Sequence, residues 1–533
     1  AAVANALACT NLIVGKNASA DGSTIVSYSA DSYGLFGELY HYPAGMHKKG
    51  TLIDIHEWDT GKYLGQIEQA RQTYNVIGNM NEFQLTIGET TFGGRPELVD
   101  TTGIIDYGSL IYLGLQRSRT AREAIKVMTE LVQEYGYYSG GESFTIADPN
   151  EIWIMEMIGK GPGVRGAVWV AVRVPDDCIS AHANQSRIHQ FNMNDKENCM
   201  YSPDVISFAR EKGYFDGVNK DFSFADAYAP LDFGARRYCE ARVWSYFNMF
   251  TDRGNEFLPY ILGETDTPMP LFVKPNRKVS VQDVKNAMRD HYEGTPLDIS
   301  KDFGAGPYHT PYRLSPLSFK VGDREYFNER PISTQQSGFV FVAQMRSELP
   351  DPIGGVLWFG TDDANMTVFT PVYCCTDKVP VCYTRVDGAD YITFSWNSAF
   401  WIFNWVANMV YPRYDLMMGD VRATQTELET TFNEAQEGVE AAAAKLLEKD
   451  PAKAKAFLTN YTNMTAQSTF DTWKRLGEFL VVKYNDGVVK RMKNGQFERN
   501  SIGQPAGVIR PGYPKEFLEE YVKQTGDRYK MPE

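Results

Sequence analysis

Apolar and polar positions fall into short runs over the first third of the chain and lengthen into helical spacing towards its end. Residues 10–14 (Thr-Asn-Leu-Ile-Val) and 23–29 flank a polar stretch ending in Asp21-Gly22, a turn signal between two β-prone runs. They predict a hairpin whose first strand begins directly behind Cys9. A second hairpin is expected over 75–90, with Val76-Ile77-Gly78 and residues 84–87 around a turn at Asn79-Met80-Asn81-Glu82. A third spans 143–158 and turns on Asp148-Pro149-Asn150, and residues 167–174 add a strand. Between them, Ala121, Ala124, Ile125, Met128, Leu131, Val132 and Tyr135 recur at the spacing of one helical face, with Thr120 and Glu123 placed as a capping box. From about 187 to 330, short helical patterns mix with aromatic, Pro- and Gly-containing loops and read as an elaboration inserted in the core. Strand signals return at 338–345, 355–359 and 366–373, the aromatic run 396–405 reads as buried core, and residues 424–449 and 451–484 read as helices. Strands grouped apart from helices indicate an α+β layered protein.

Composition narrows the partners. At 533 residues and 43% hydrophobic content the chain can bury a large core. Its formal charge of −14, with no basic run, argues against nucleic acid and against anionic membrane surfaces, and favours small or cationic partners. No window approaches the roughly 20 consecutive apolar residues of a membrane-spanning helix. Setting Cys9 aside leaves Cys178, Cys199, Cys239, Cys374, Cys375 and Cys382, enough for three bridges in an exported protein. The favoured reading is that most are reduced and buried as small apolar residues. No CxxC or HxxxH spacing accompanies Cys374-Cys375, so neither a metal nor any other cofactor is expected.

Cys9 carries the chemistry. Ala6-Leu7-Ala8 is a small-x-small triplet of the kind at which leaders are cut, and residues 1–8 read as the tail of a leader, which implies export to a periplasm or the extracellular space. Cutting between Ala8 and Cys9 leaves one residue with both a thiol and a free α-amine, the nucleophile and the proton acceptor of amide hydrolysis. An α-amine titrates near about 7.7–8.0, so on the order of a tenth is free base at neutral pH. While Ala8 remains attached, that nitrogen is a non-basic amide, and residues 1–8 would occupy space a substrate needs. The chain as given is thus expected to be a precursor.

The opening Cys9-Thr10-Asn11-Leu12-Ile13-Val14-Gly15-Lys16, continuing through Ala20-Asp21-Gly22-Ser23-Thr24, resembles the start of the mature dipeptidase A family. So do Gly78-Asn79-Met80-Asn81-Glu82, Gly88-Glu89-Thr90-Thr91, Ala183-Asn184-Gln185-Ser186-Arg187-Ile188 and Trp358-Phe359-Gly360. These cysteine dipeptidases are N-terminal-nucleophile hydrolases related to penicillin V acylase and choloylglycine (bile-salt) hydrolase. The resemblance implies a four-layer αββα sandwich of two antiparallel sheets, with a catalytic domain over 9–410, the insertion at about 187–330, and a helical region over 411–533 packed on the core. It places the catalytic cysteine on Cys9, the acidic position on Asp31, and the asparagines around the oxyanion on Asn184 and Asn81. The second-half arginine falls on Arg237 or Arg242, and with Tyr28 and Glu82 these make up the substrate-binding set. A dipeptide's ammonium needs a carboxylate, for which Asp31 and Glu82 are preferred to Glu89 and Glu156.

One position departs from the family. Tyr28 stands where relatives have an arginine, three residues before Asp31, so thiolate stabilisation must come from elsewhere. Tyr28 and Asp31 also differ by an odd number, and a regular strand would send them to opposite faces. They can serve one site only if the strand ends or bulges between them. The expected activity is hydrolysis of small peptides, with a homo-oligomer left open. Two other readings remain open here: an acylase acting on conjugated bile acids or penicillin V, and a surface-anchored binding module with a lipid-modified Cys9.

Overall fold

The computed structural model describes residues 9–533, and the expectation for residues 1–8 lies outside them. Two antiparallel sheets carry the core. The first runs in the order Ile179–His182, Asn11–Val14, Thr24–Asp31, Ser337–Met345, Val356–Thr361 and Thr370–Tyr373. The second runs Cys199–Tyr201, Ala167–Arg173, Ile152–Gly159, Gly141–Ala147, Thr86–Gly93, Met80–Asn81, Val76–Ile77 and His41–Tyr42. The long helices Tyr414–Leu447 and Pro451–Tyr484 follow, giving a mixed molecule with antiparallel sheets and a helical C-terminal region.

Thr24–Asp31 and Ser337–Met345 are buried at every position because both faces are covered. Helix Val281–Ala287 packs on one side of the first sheet, while the other side meets the second sheet. Helices Tyr107–Arg117 and Ala121–Tyr135 cover the second sheet from without. Polar groups stitch the sheets together where they meet. Asn11 Nδ2 donates to the Glu89 carbonyl at 2.7 Å, and His182 bridges Thr90 Oγ1 at 2.7 Å and Thr145 Oγ1 at 2.6 Å. Burial and then Arg187 push the His182 pKa down to about 3, so the ring stays neutral, with one nitrogen donating and the other accepting.

Close approach at this seam requires a glycine. A Cβ on Gly88 would stand 2.6 Å from Asn11 Oδ1 and 3.4 Å from Tyr28 Cβ. Gly88→Ala is therefore expected to destabilise the protein by about 1–3 kcal/mol, as overpacking does. Urea unfolding measures it, and a change below about 0.5 kcal/mol would show that the sheets can part there at little cost.

The first and third hairpins form as the pattern predicts, with Gly22 at φ 77° in the first turn. In the second, Asn79 to Glu82 is not one turn. Gly78, at φ 54°, turns the chain early, so that Val76 pairs with Asn81 and Ile77 with Met80, and a second turn at Gln84 leads into Thr86–Gly93. Only half of the capping box exists: Thr120 Oγ1 accepts from the Glu123 N–H at 3.2 Å, but the Glu123 carboxylate turns to the Arg119 N–H at 2.7 Å. The strand expected over 366–373 shortens to Thr370–Tyr373.

The aromatic run is only partly core. Helix Ala399–Val410 buries Phe400, Ile402, Phe403 and Val406, whereas Trp396, ahead of the helix cap Ser398, is 51% exposed. All seven cysteines are free thiols, and Cys239 is half-buried while the rest are buried. Among the described residues, no helix is long and apolar enough to cross a membrane, and no three His, Cys, Asp or Glu residues converge as a metal site.

Candidate active site

Cys9 sits just ahead of strand Asn11–Val14, against the end of Thr24–Asp31, where the Ser29 N–H donates to the Thr10 carbonyl at 3.0 Å. The residue is 2% exposed. Its thiol donates to the Tyr28 hydroxyl at 3.7 Å, and that hydroxyl donates to Glu89 Oε1 at 2.6 Å. Burial, then the charges of Glu89 and Asp31, push the Cys9 thiol well above its ordinary value; the backbone N–H of Asp31 and the Tyr28 hydroxyl act the other way without prevailing. The sulfur is held protonated and needs a base to be a nucleophile.

Tyr28 and Asp31 reach the same sulfur by the exception their odd spacing demands. Strand Thr24–Asp31 ends at Asp31, and its partner pairs Ser337 with Asp31 but Phe339 with Ala30, so Gly338 is an extra residue in a bulge. Asp31 Oδ1 accepts from Ser337 Oγ at 2.6 Å, and Oδ2 accepts from Ser29 Oγ at 3.1 Å and from Arg330 at 2.5 Å. Burial still raises the Asp31 pKa, against the pull of Arg330 and Ser337. Position 28 carries no arginine, and the guanidinium beside Asp31 is that of Arg330, arriving from a loop. Nothing local in Glu329-Arg330-Pro331 marks it, because it belongs to no periodic element.

Of the two second-half arginines, Arg242 belongs to this cluster. Its buried guanidinium donates from Nη1 to the Cys9 carbonyl at 2.6 Å and Thr10 Oγ1 at 2.8 Å, and from Nη2 to the Ala183 carbonyl at 3.0 Å and Asn184 Oδ1 at 2.9 Å. Burial, with the neighbouring Arg330 charge, lowers the Arg242 pKa to about 10. Arg242 thus clamps the Cys9 backbone to Asn184. Asn184, at φ 64°, also donates from Nδ2 to the Thr91 carbonyl at 2.8 Å. The π-helical turn Ala235–Glu240 precedes helix Ala241–Phe250, which carries Arg242, and it sends Arg237 to pair with Glu329 and lie 4.9 Å over the Phe327 ring, beside a cleft lined by Leu231, Phe233 and Ile261.

Two expected residues are used elsewhere. Asn81 Nδ2 donates to the Leu115 and Ser118 carbonyls, and Oδ1 accepts from the Phe83 and Leu85 N–H groups. Both amide hydrogens are spent on the end of helix Tyr107–Arg117, leaving none for an oxyanion. Glu82 accepts from the Asn75 N–H at 2.9 Å within the same turn, and Glu89 is the carboxylate that meets the Cys9–Tyr28 pair. Glu156 is saturated by Ser186 and the Arg187 and Ile188 N–H groups, and burial pushes it up to about 7.

The cluster thus joins a buried thiol, a phenol and a carboxylate, with an arginine holding the Cys9 backbone beside Asn184. The model of peptidase family C69 matches residues 8–41 and 36–427, and the chain belongs to that family: it is a peptidase. It is 30% identical over 387 residues to a "Probable dipeptidase" of Salmonella dublin, covering 69% of this chain and 81% of that protein. A "Probable dipeptidase" of Latilactobacillus sakei is 26% identical over 474 residues, 85% of this chain and 90% of the relative. "Dipeptidase A" of Lactobacillus helveticus is 25% identical over 416 residues, 74% and 80% respectively.

Proposed function

We propose that the chain is an exported cysteine dipeptidase of the N-terminal-nucleophile kind, built as an αββα sandwich and activated by cleavage between Ala8 and Cys9. The observation that carries this reading is the protonated, buried Cys9 thiol, hydrogen-bonded to Tyr28, with its own backbone gripped by Arg242 beside Asp31 and Asn184. Freeing its own nitrogen as an amine supplies such a thiol with a base on the same residue. The names of the relatives support a dipeptide as substrate.

In this mechanism the freed α-amine takes the thiol proton as sulfur attacks the scissile carbonyl. Arg242 fixes the Cys9 carbonyl, so the amine and the sulfur keep their mutual orientation. The negative oxygen that forms needs donors at about 2.7–3.1 Å, for which Asn184 Nδ2 and a backbone N–H are the candidates. Collapse of the intermediate passes the proton from the amine to the leaving nitrogen, and water then hydrolyses the thioester.

Mass spectrometry of the native N-terminus, with a dipeptide panel assayed on cut and uncut protein, tests the reading. The cut form is expected to begin with an unmodified Cys9 and to exceed the uncut form at least roughly 10³-fold in kcat/KM, since both base and access are gained. Equal activity of the uncut form, or an acylated Cys9, would overturn it.

A further inference from the structure

Glu89 and Glu142 are a buried carboxyl pair without a cation. Glu89 pairs with Phe144 and Thr91 with Glu142 across neighbouring strands, so the two glutamates are diagonal neighbours on one face of the second sheet. Each is 1% exposed. Glu89 Oε1 accepts from Tyr28, and Glu142 Oε1 accepts from Thr91 Oγ1 at 2.6 Å. Both Oε2 atoms are buried with no donor among the described residues, so the pair can satisfy itself only by sharing a proton.

The groups acting on the pair are Cys9 and Tyr28 from the first sheet, Tyr107 from the helix outside, Tyr137, and Asp59 from the loop beyond. All are acids or phenols. Three other buried carboxylates have cations, Asp31 with Arg330 at 2.5 Å, Glu240 with Arg187 at 2.9 Å and Glu429 with Arg289 at 2.5 Å, while Glu156 and Asp363 are held by hydroxyl and backbone N–H donors. Among the described residues, neither Glu89 nor Glu142 enters an ion pair. A buried negative charge with no cation is costly, and a cation supplied from outside offsets that cost.

Position says which cation. The α-amine of a dipeptide is two bonds from the scissile carbon, which must come within roughly 3–3.5 Å of the sulfur, so the ammonium falls within roughly 6 Å of it. Glu89 lies one hydroxyl away from that sulfur, through links of 3.7 and 2.6 Å. The geometry points to Glu89, with Glu142 behind it, as the anchor for the substrate's α-ammonium, so that the enzyme selects peptides with an unblocked N-terminus. This inference rests on the dipeptidase reading above.

Burial, with the partner carboxylate adding to it at Glu142, raises both groups above the usual carboxylate range. A cation binds the deprotonated pair better. Affinity should therefore rise with pH through the titration of the pair, then fall as the substrate amine loses its proton above about 8.

The test compares a dipeptide with its N-acetyl derivative on the processed protein and on its Glu89→Gln, Glu89→Asp and Glu142→Gln variants, with Tm and N-terminal mass as controls. Glu89→Gln is expected to raise KM for the free dipeptide about 30-fold or more, with a smaller change in kcat, and to reduce the preference over the acetylated peptide at least about 100-fold. Glu89→Asp keeps the charge and should keep the preference, which guards against a Gln variant that fails to fold. Glu142→Gln should shift the acid limb of kcat/KM, because it removes one of the two carboxyls that titrate together. Wild-type discrimination in Glu89→Gln, loss of it in Glu89→Asp, or an unmoved acid limb in Glu142→Gln would overturn the assignment. A wild-type enzyme that cleaves no dipeptide would instead overturn the reading beneath it.

Discussion

Cys9→Ala is expected to lower kcat/KM for dipeptides by roughly 10⁴-fold or more while leaving the fold in place, because a nucleophile's removal forfeits the whole covalent route. The sulfur hydrogen-bonds Tyr28, whereas the residue is positioned through its backbone by Arg242. Alanine keeps that backbone clamp. The lost side chain should cost about 1 kcal/mol of stability, against about 5–8 kcal/mol of activation barrier, so the two effects separate cleanly. Cys9→Ser tests the pKa side of the argument. A hydroxyl is far harder to deprotonate than a thiol and should recover little activity, although it restores volume and polarity. Activity within tenfold of wild type in the alanine variant, on protein verified to begin at residue 9, would remove Cys9 from the chemistry.

Arg330→Leu is expected to cost about 3–5 kcal/mol of stability at neutral pH, the penalty for stranding a buried charge. Asp31 is wholly buried, and two serine hydroxyls and Arg330 hold its carboxylate. Its pKa is raised even with Arg330 present, and removing the guanidinium raises it further. A raised folded-state pKa favours the native state below the unfolded value of about 3.9 and loses that advantage as pH rises through the folded value. The defect of the variant should therefore be largest near pH 7 and narrow towards pH 5, by up to about 1.4 kcal/mol per pH unit. Asp31→Asn combined with Arg330→Leu removes the charge itself and should regain much of the loss. Urea unfolding at the two pH values measures both effects, and a pH-independent loss below about 1 kcal/mol would show that the ion pair is not what holds Asp31.

Legibility in the sequence followed the distance between the groups concerned. Cys9 and the first hairpin lie within a few residues of one another, and the thiol and the β-prone run behind it are readable together. The odd spacing of Tyr28 and Asp31 even implied a strand end or bulge, which Gly338 supplies from the partner strand. Asn81 shows the opposite case. An amide in a family motif reads as an oxyanion donor, but the early turn at Gly78 hands its hydrogens to two helix-end carbonyls. Trp396 likewise belongs to an apolar run yet precedes the helix that buries its neighbours.

Local spacing and residue type in the sequence by itself determined the α+β character, and the family motifs marked a peptidase with a cysteine directly ahead of its first strand. Tertiary structure alone decided which charges gather around Cys9. Arg330 reaches Asp31 across 299 residues, Arg242 reaches Cys9 across 233, and Glu89 comes from the opposing sheet. Side-chain periodicity encodes which face of an element is buried. It carries no information on which distant element will lie opposite, and the electrostatics of a buried site depend on that choice.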